Sequence, residues 1–185
     1  MRAMKRALLV TAILAASTSA ASAGTYLGLG IGPGANVGGT DGHVEEGGRS
    51  MRLLGGYKLG VLSGRLAIEG ALSFQGLTFT NNGGPEYDGR QLGVYGKYNH
   101  PLGSDFEVFG KLGVHRTWFS SSNDMYAVSG EGFLVGVGAE YRLTAILASA
   151  SVWVDYTHHM ATLDGDRYSW DAGVGMWMLG FSIGL

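Results

Sequence analysis

Trp177-Met178-Leu179-Gly180-Phe181-Ser182-Ile183-Gly184-Leu185 is the stretch that decides the fold. Large apolar side chains alternate with small or flexible ones up to the last residue. Phe181, Ile183 and Leu185 share one face of an extended strand, with Leu179 and Trp177 behind them. Terminal segments fray unless something ties them down, so an apolar strand in this place is expected to be zipped into a closed sheet.

Working back from that strand, period-2 alternation marks seven more runs. They are Thr25–Gly32, Ser50–Val61, Arg65–Phe79, Arg90–Asn99, Phe106–Trp118, Gly130–Arg142 and Ile146–His158, with Tyr168–Leu185 as the eighth. Asp171, Gly173 and Gly175 fall in phase with Trp177 and Phe181, so either a bulge near Met176 shifts the register or the strand begins later. The connections alternate in length. Residues 33–49, 80–89, 119–129 and 159–167 form long ones, whereas 62–64, 100–105 and 143–145 are short. The chain has 33 glycines without a collagen period, placed at alternate positions in apolar stretches, which suits strands with crowded neighbours rather than helices.

Each run has one apolar face: Leu27, Leu29, Ile31; Met51, Leu53, Tyr57, Leu59; Leu66, Ile68, Leu72, Phe74; Leu92, Val94, Tyr98; Val108, Leu112, Val114; Phe133, Val135, Val137, Tyr141; Ile146, Val152, Val154, Tyr156. The opposite face reads as small or charged, with Gly28, Gly30, Arg52, Lys58, Glu69, Gln75, Lys97, Glu107, Lys111, Glu140 and Asp155. Alternation alone does not say which face is inside, since a soluble barrel buries the apolar one. The aromatic residues discriminate. Tyr57, Tyr98, Phe106 and Tyr141 lie on the apolar face near the short turns, and Trp118, Phe133 and Tyr156 near the long loops. Two aromatic bands around an aliphatic zone are the girdles of a membrane barrel.

Arg2, Lys5 and Arg6 precede an apolar run from Ala7 to Ala16 and a small-x-small site, Ala21-Ser22-Ala23, so residues 1–23 read as a signal peptide and 24–185 as one domain. The run is too short for a membrane-spanning helix, which needs about 20 apolar residues. Removing those three bases leaves ten against 15 acids, a formal charge of −5, which does not support a nucleic-acid surface. With no cysteine there is no disulfide framework despite export.

Signal peptide, even strand count, loop asymmetry and last strand together make the chain resemble the small eight-stranded outer-membrane barrels of the OmpA and OmpX type. Its ending also resembles the C-terminal assembly signal of such barrels in Gly180, Ile183 and Leu185. Met178 stands where that signal prefers a polar residue, and Leu185 replaces the commoner Phe. The resemblance implies an all-β, eight-stranded antiparallel up-and-down transmembrane β-barrel in the outer membrane, monomeric, with both termini in the periplasm. Its partners are then outer-membrane lipid, lipopolysaccharide and the barrel assembly machinery. It implies a lumen filled by side chains rather than an open pore. Here Arg52, Glu69, Lys97, Lys111, Glu140 and Asp155 are expected to form that plug, since buried charges are tolerable only when paired. No peptidoglycan-binding domain is expected after residue 185.

Catalytic, metal and cofactor motifs are weak. His115 shares the lumen face with Lys111 but has no sequence-local nucleophile or orienting acid. His158 and His159 open a stretch with Asp164 and Asp166, yet adjacent side chains on a strand point to opposite faces. Gly28, Gly30 and Gly32 lack the G-x-G-x-x-G spacing and precede no helix. No catalytic, metal or cofactor residue is therefore assigned. A lipid A deacylase of this fold pairs His with a Ser two residues later, whereas His115 is followed by Thr117 and His158 by Met160. The expected function is non-enzymatic: envelope integrity or surface interaction through four long loops. A lipid A-modifying enzyme and a secreted lipocalin-like binder are the alternatives. At the outer rim Arg116 and Trp118 share the lipid-facing phase, a candidate lipopolysaccharide contact because arginine's planar fork can donate two hydrogen bonds to one phosphate.

Overall fold

The structure, a computed structural model, describes residues 24–34, 36–38, 48–61, 64–78, 86–121, 128–143, 150–164 and 169–185. The expected signal peptide lies outside these. Nine strands are described: β1 (Gly24–Pro33), β2 (Asn36–Gly38), β3 (Arg49–Val61), β4 (Gly64–Thr78), β5 (Glu86–Pro101), β6 (Phe106–Ser121), β7 (Val128–Arg142), β8 (Ala150–Asp164) and β9 (Ser169–Gly184). Long neighbours pair antiparallel in sequence order, and β1 pairs with β9, which closes an eight-stranded barrel. The short β2 continues β1 alongside β9. Among the described residues no helix is long and apolar enough to cross a membrane.

Closure carries a stagger. From Ser182 on β9 the paired residues run Gly28, Leu54, Ala71, Gly93, His115, Gly132 and Ala161, and return to β9 at Ala172, ten residues away. A strand rise of ~3.4 Å and a spacing of ~4.8 Å convert that stagger into a tilt of about 40°, within the range of closed barrels. The two ends meet at one rim, where the Leu185 amide donates to the Thr25 carbonyl at 2.9 Å.

The face assignment holds along the strands. Leu27, Leu29, Ile31, Leu53, Ile68, Leu112, Val114, Phe133, Val137, Trp177 and Leu179 point outward and are exposed. Arg52, Glu69, Lys97, Glu107, Lys111, Glu140 and Asp155 point inward and are buried. A soluble barrel would show the reverse.

Three expectations change. The sixth connection, expected at 143–145, lies mostly outside the described residues: β8 is described from Ala150 rather than from Ile146, and the Leu143 amide donates to the Ala150 carbonyl at 2.9 Å. β8 then runs on to Asp164, so His158 and His159 are strand residues rather than the start of a loop. Tyr156 consequently sits midway along β8, not in the loop-side girdle, and packs against Trp177 with ring centroids 5.1 Å apart.

The last strand has neither a bulge nor a late start, because its pairing with β8 is unbroken from Ser169 to Ile183. The irregularity is on the other side. Ile31 pairs with Leu179 and Asn36 with Gly175, so β1 and β2 advance five residues while β9 retreats four. Asp171 faces out because this end of β9 belongs to the polar rim, where the Thr162 hydroxyl donates to its carboxylate at 2.8 Å.

The inner face is also less polar than expected. Tyr26, Leu54, Tyr95, Phe109, Leu134, Trp153 and Met178 form one buried apolar cluster with Ala67 and Ala71. Phe119, Ala161, Leu163, Ala172, Val174 and Met176 form a second at the other end. The glycines of β1 make room for them: a Cβ on Gly30 would meet Trp153 Cη2 at 2.5 Å, and one on Gly28 would meet Leu54 Cδ1 at 2.8 Å.

Candidate functional site

Inward alternation delivers the six sequence-predicted lumen charges from six strands, β3 to β8, to the lumen. Glu140 on β7 takes Lys97 from β5 at 2.9 Å and Lys58 from β3 at 2.7 Å, and accepts from the Ser151 hydroxyl at 2.8 Å. Lys97 also reaches Glu69 at 3.4 Å, whose carboxylate accepts from the Tyr26 hydroxyl. Deeper along the axis Asp155 holds Arg52 at 2.8 Å and Lys111 at 2.6 Å. The rings stack on these cations, with Lys97 Nζ 4.0 Å from the Phe109 centroid and Lys111 Nζ 5.2 Å from that of Tyr95.

All six predicted residues are thus ion-paired, in two groups, and the pairing in the lumen is larger than foreseen. Arg65 and Arg142 both pair with Glu107 at the rim of the short turns, where Asn99 bridges Glu107 and Glu140 at 2.9 and 3.0 Å. Lys58 and Glu107 were legible as lumen-facing. Arg65 and Arg142 are in phase with Glu69 and Glu140, so alternation carried the signal that places them inside, although each stands at the end of its strand.

The histidines separate as adjacent strand residues must. His159 is buried in the lumen and His158 lies on the outer face, half-buried. His115 is inside too, its Nδ1 3.0 Å from Gln91 Nε2, and its ring meets that of His159 edge-on at 4.9 Å. Among the described residues no three His, Cys, Asp or Glu side chains converge in a metal-ligating group. Asp166 lies outside the described residues.

On the outer rim Arg116 pairs across the strands with Glu131 at 3.1 Å, both groups exposed. Its guanidinium lies 5.4 Å from the Trp118 ring. Strand phase alone places Arg116 beside Trp118, whereas Glu131 joins it through the β6–β7 register. Arg90 faces Trp118 across the β5–β6 ladder and is exposed, so two arginines flank one indole.

The closed barrel is a fold that solved structures share with this chain. The crystal structure of Ail, the attachment invasion locus protein of Yersinia pestis, superposes with a TM-score of 0.59 at 16% identity, covering 88% of this chain and 99% of that one. The crystal structure of Neisserial surface protein A superposes with a TM-score of 0.61 at 14% identity, covering 87% and 97%. At those identities the likeness is one of fold. No curated protein matches the chain. The family model of the outer membrane protein beta-barrel domain matches residues 7–177, and the chain therefore belongs to that family of the bacterial outer membrane.

Proposed function

We propose that this barrel is a non-enzymatic, monomeric envelope protein that anchors to lipopolysaccharide at its outer rim and presents its long loops outward, with no lumenal chemistry of its own. The lumen charges are engaged with one another, and the residues that a reaction would need, a nucleophile with an adjacent base and orienting acid, do not come together among the described residues. The rim is different. Arg90 and Arg116 sit on either side of Trp118 on the lipid-facing surface, at the end of β5 and β6 opposite the short connection that joins them.

Arginine at such a depth can keep its stem along apolar surface and its guanidinium in the headgroup layer. The anions there are lipopolysaccharide phosphates, for which the planar fork is well matched. The Glu131 carboxylate holds Arg116 in place without neutralising Arg90, and the exposed pair itself contributes little to stability. Two arginines flanking an exposed indole carry the reading. In the same account β9 is the segment through which the barrel assembly machinery receives the chain.

Refolding wild type, Arg90→Ala, Arg116→Ala and the double variant into bilayers with and without lipopolysaccharide tests the anchor. Lipopolysaccharide should stabilise wild type, each single variant less, and the double variant least. Equal stabilisation of all four contradicts the anchor. Lipid A mass spectrometry of a deletion strain tests the non-enzymatic part, and an altered acylation pattern there would favour a lipid A-modifying enzyme.

A further inference from the structure

The outer wall carries two polar side chains where contact with lipid calls for apolar ones. His158 stands half-buried on the lipid-facing side of β8, between Tyr156 and Met160 of the same face. Across the ladders it meets Val135 on β7 and Gly175 on β9. Tyr156 pairs with Trp177 and packs against its ring, and a Cβ on Gly175 would run into the Tyr156 hydroxyl. The phenol therefore leans toward the outer rim and lays its hydroxyl over the glycine that faces His158. Neither that hydroxyl nor the His158 imidazole has a hydrogen-bond partner among the described residues.

Depth decides what these groups can meet. Glu131 at the outer rim and Val135 are both on β7, and the four residues between their positions span about 10 Å of depth at a rise of ~3.4 Å and the tilt of the strands. The stagger gives back about 3 Å on stepping to β8, so His158 lies about 7 Å nearer the midplane than the Arg116–Glu131 pair. The polar layer on each side of a bilayer is about 5–8 Å thick. With Arg116 level with lipopolysaccharide phosphates, Tyr156 and His158 are level with the ester and amide linkages that join the acyl chains to the sugars. Water is scarce there, and a donor left unmet is costly. A neutral imidazole always keeps one N–H and the phenol one O–H, while a carbonyl oxygen has two lone pairs to receive them.

We propose that the notch formed by Tyr156, His158 and Gly175 binds an acyl linkage of lipopolysaccharide, the two donors converging on its carbonyl oxygen while the chain descends over the exposed side chains of Trp177 and Leu179. The inference rests on the reading that the outer rim meets lipopolysaccharide, and it extends that contact around the wall from β6 to β8.

The test uses the mature chain refolded into bilayers of diether phosphatidylcholine, a lipid without acyl carbonyls, with and without lipopolysaccharide. Urea midpoints are compared for wild type, Tyr156→Phe, His158→Leu, the Tyr156→Phe/His158→Leu double variant and the Arg90→Ala/Arg116→Ala double variant. Bound lipid raises the midpoint by linkage. The expected result is that the notch variants match wild type in the diether bilayer and lose part of the lipopolysaccharide gain, equivalent to about 2–10-fold weaker lipid for each hydrogen bond removed. A full gain in the notch double variant beside a reduced one in the arginine double variant would leave the rim anchor standing and overturn the notch. A gain absent from wild type would overturn both. A loss already present in the diether bilayer alone would overturn the proposal in favour of a structural role. The same loss when diester phosphatidylcholine replaces lipopolysaccharide would overturn it in favour of a phospholipid. Should the variants fail to fold, wild type in lipopolysaccharide nanodiscs decides: a nuclear Overhauser contact between the His158 ring protons and the methylene beside the acyl carbonyl is expected, and its absence overturns the proposal.

Discussion

Arg52 on β3 and Asp155 on β8 lie 103 residues apart in the chain and meet across the lumen, the arginine Nη1 donating to both carboxylate oxygens at 2.8 and 3.0 Å. Lys111 completes the group from β6. A contact of this kind forms only when the barrel has closed, so it reports closure as well as stabilising it. Removing the acid leaves two buried cations without their partner, and Asp155→Ala should cost about 3–5 kcal/mol. Equilibrium unfolding in lipid bilayers, read by gel mobility, measures this. A loss under 1 kcal/mol would mean that water enters the site freely.

The lipid-facing wall makes a second prediction. Leu112 lies mid-strand on β6 and is 63% exposed, so an arginine there must enter hydrocarbon. Leu112→Arg should destabilise by about 2–4 kcal/mol in bilayers. In the same measurement Trp118→Arg, at the rim, should cost far less.

Trp153 fills the lumen over Gly30 and Gly180, so the barrel's small residues are graded by what lies opposite. Gly30→Ala drives a methyl group into the indole and should cost about 1–3 kcal/mol. Gly70 faces outward with nothing within 4 Å of an added Cβ, and Gly70→Ala should change stability by no more than about 0.5 kcal/mol. The two variants, unfolded in parallel, separate crowding from strand propensity.

Paired charges and two apolar clusters fill an interior that eight strands leave barely wide enough for side chains. Planar bilayers containing the protein should therefore show no steady single-channel conductance. A large ohmic step would contradict the plug.

The strands and their faces were legible because lipid and lumen impose opposite chemistries on alternate residues, as in Val108 to Val114 on β6. That signal fades where a strand leaves the hydrocarbon. On β8 the residues from His158 to Thr162 put polar groups on both faces, and the strand was cut six residues short. Trp153 and Leu134 were missed as lumen residues for a related reason: each stands among apolar neighbours, Val152, Val154, Phe133 and Val135, so local composition hides the alternation. The six charges were legible because only an inward position tolerates them. Glu131 and Arg90 were not, since cross-strand partners depend on register, which a single strand does not carry.

The central claim is that Trp177 meets lipid and Trp153 does not, 53% against 4% exposed on paired strands of one closed wall. Variants with Trp177 or Trp153 as the sole tryptophan, refolded into vesicles with nitroxide-labelled acyl chains, read this directly. Strong quenching of Trp177 and little of Trp153 is the expected result. Equal quenching of the two, or protection of Trp177, would contradict the barrel's inside and outside as described.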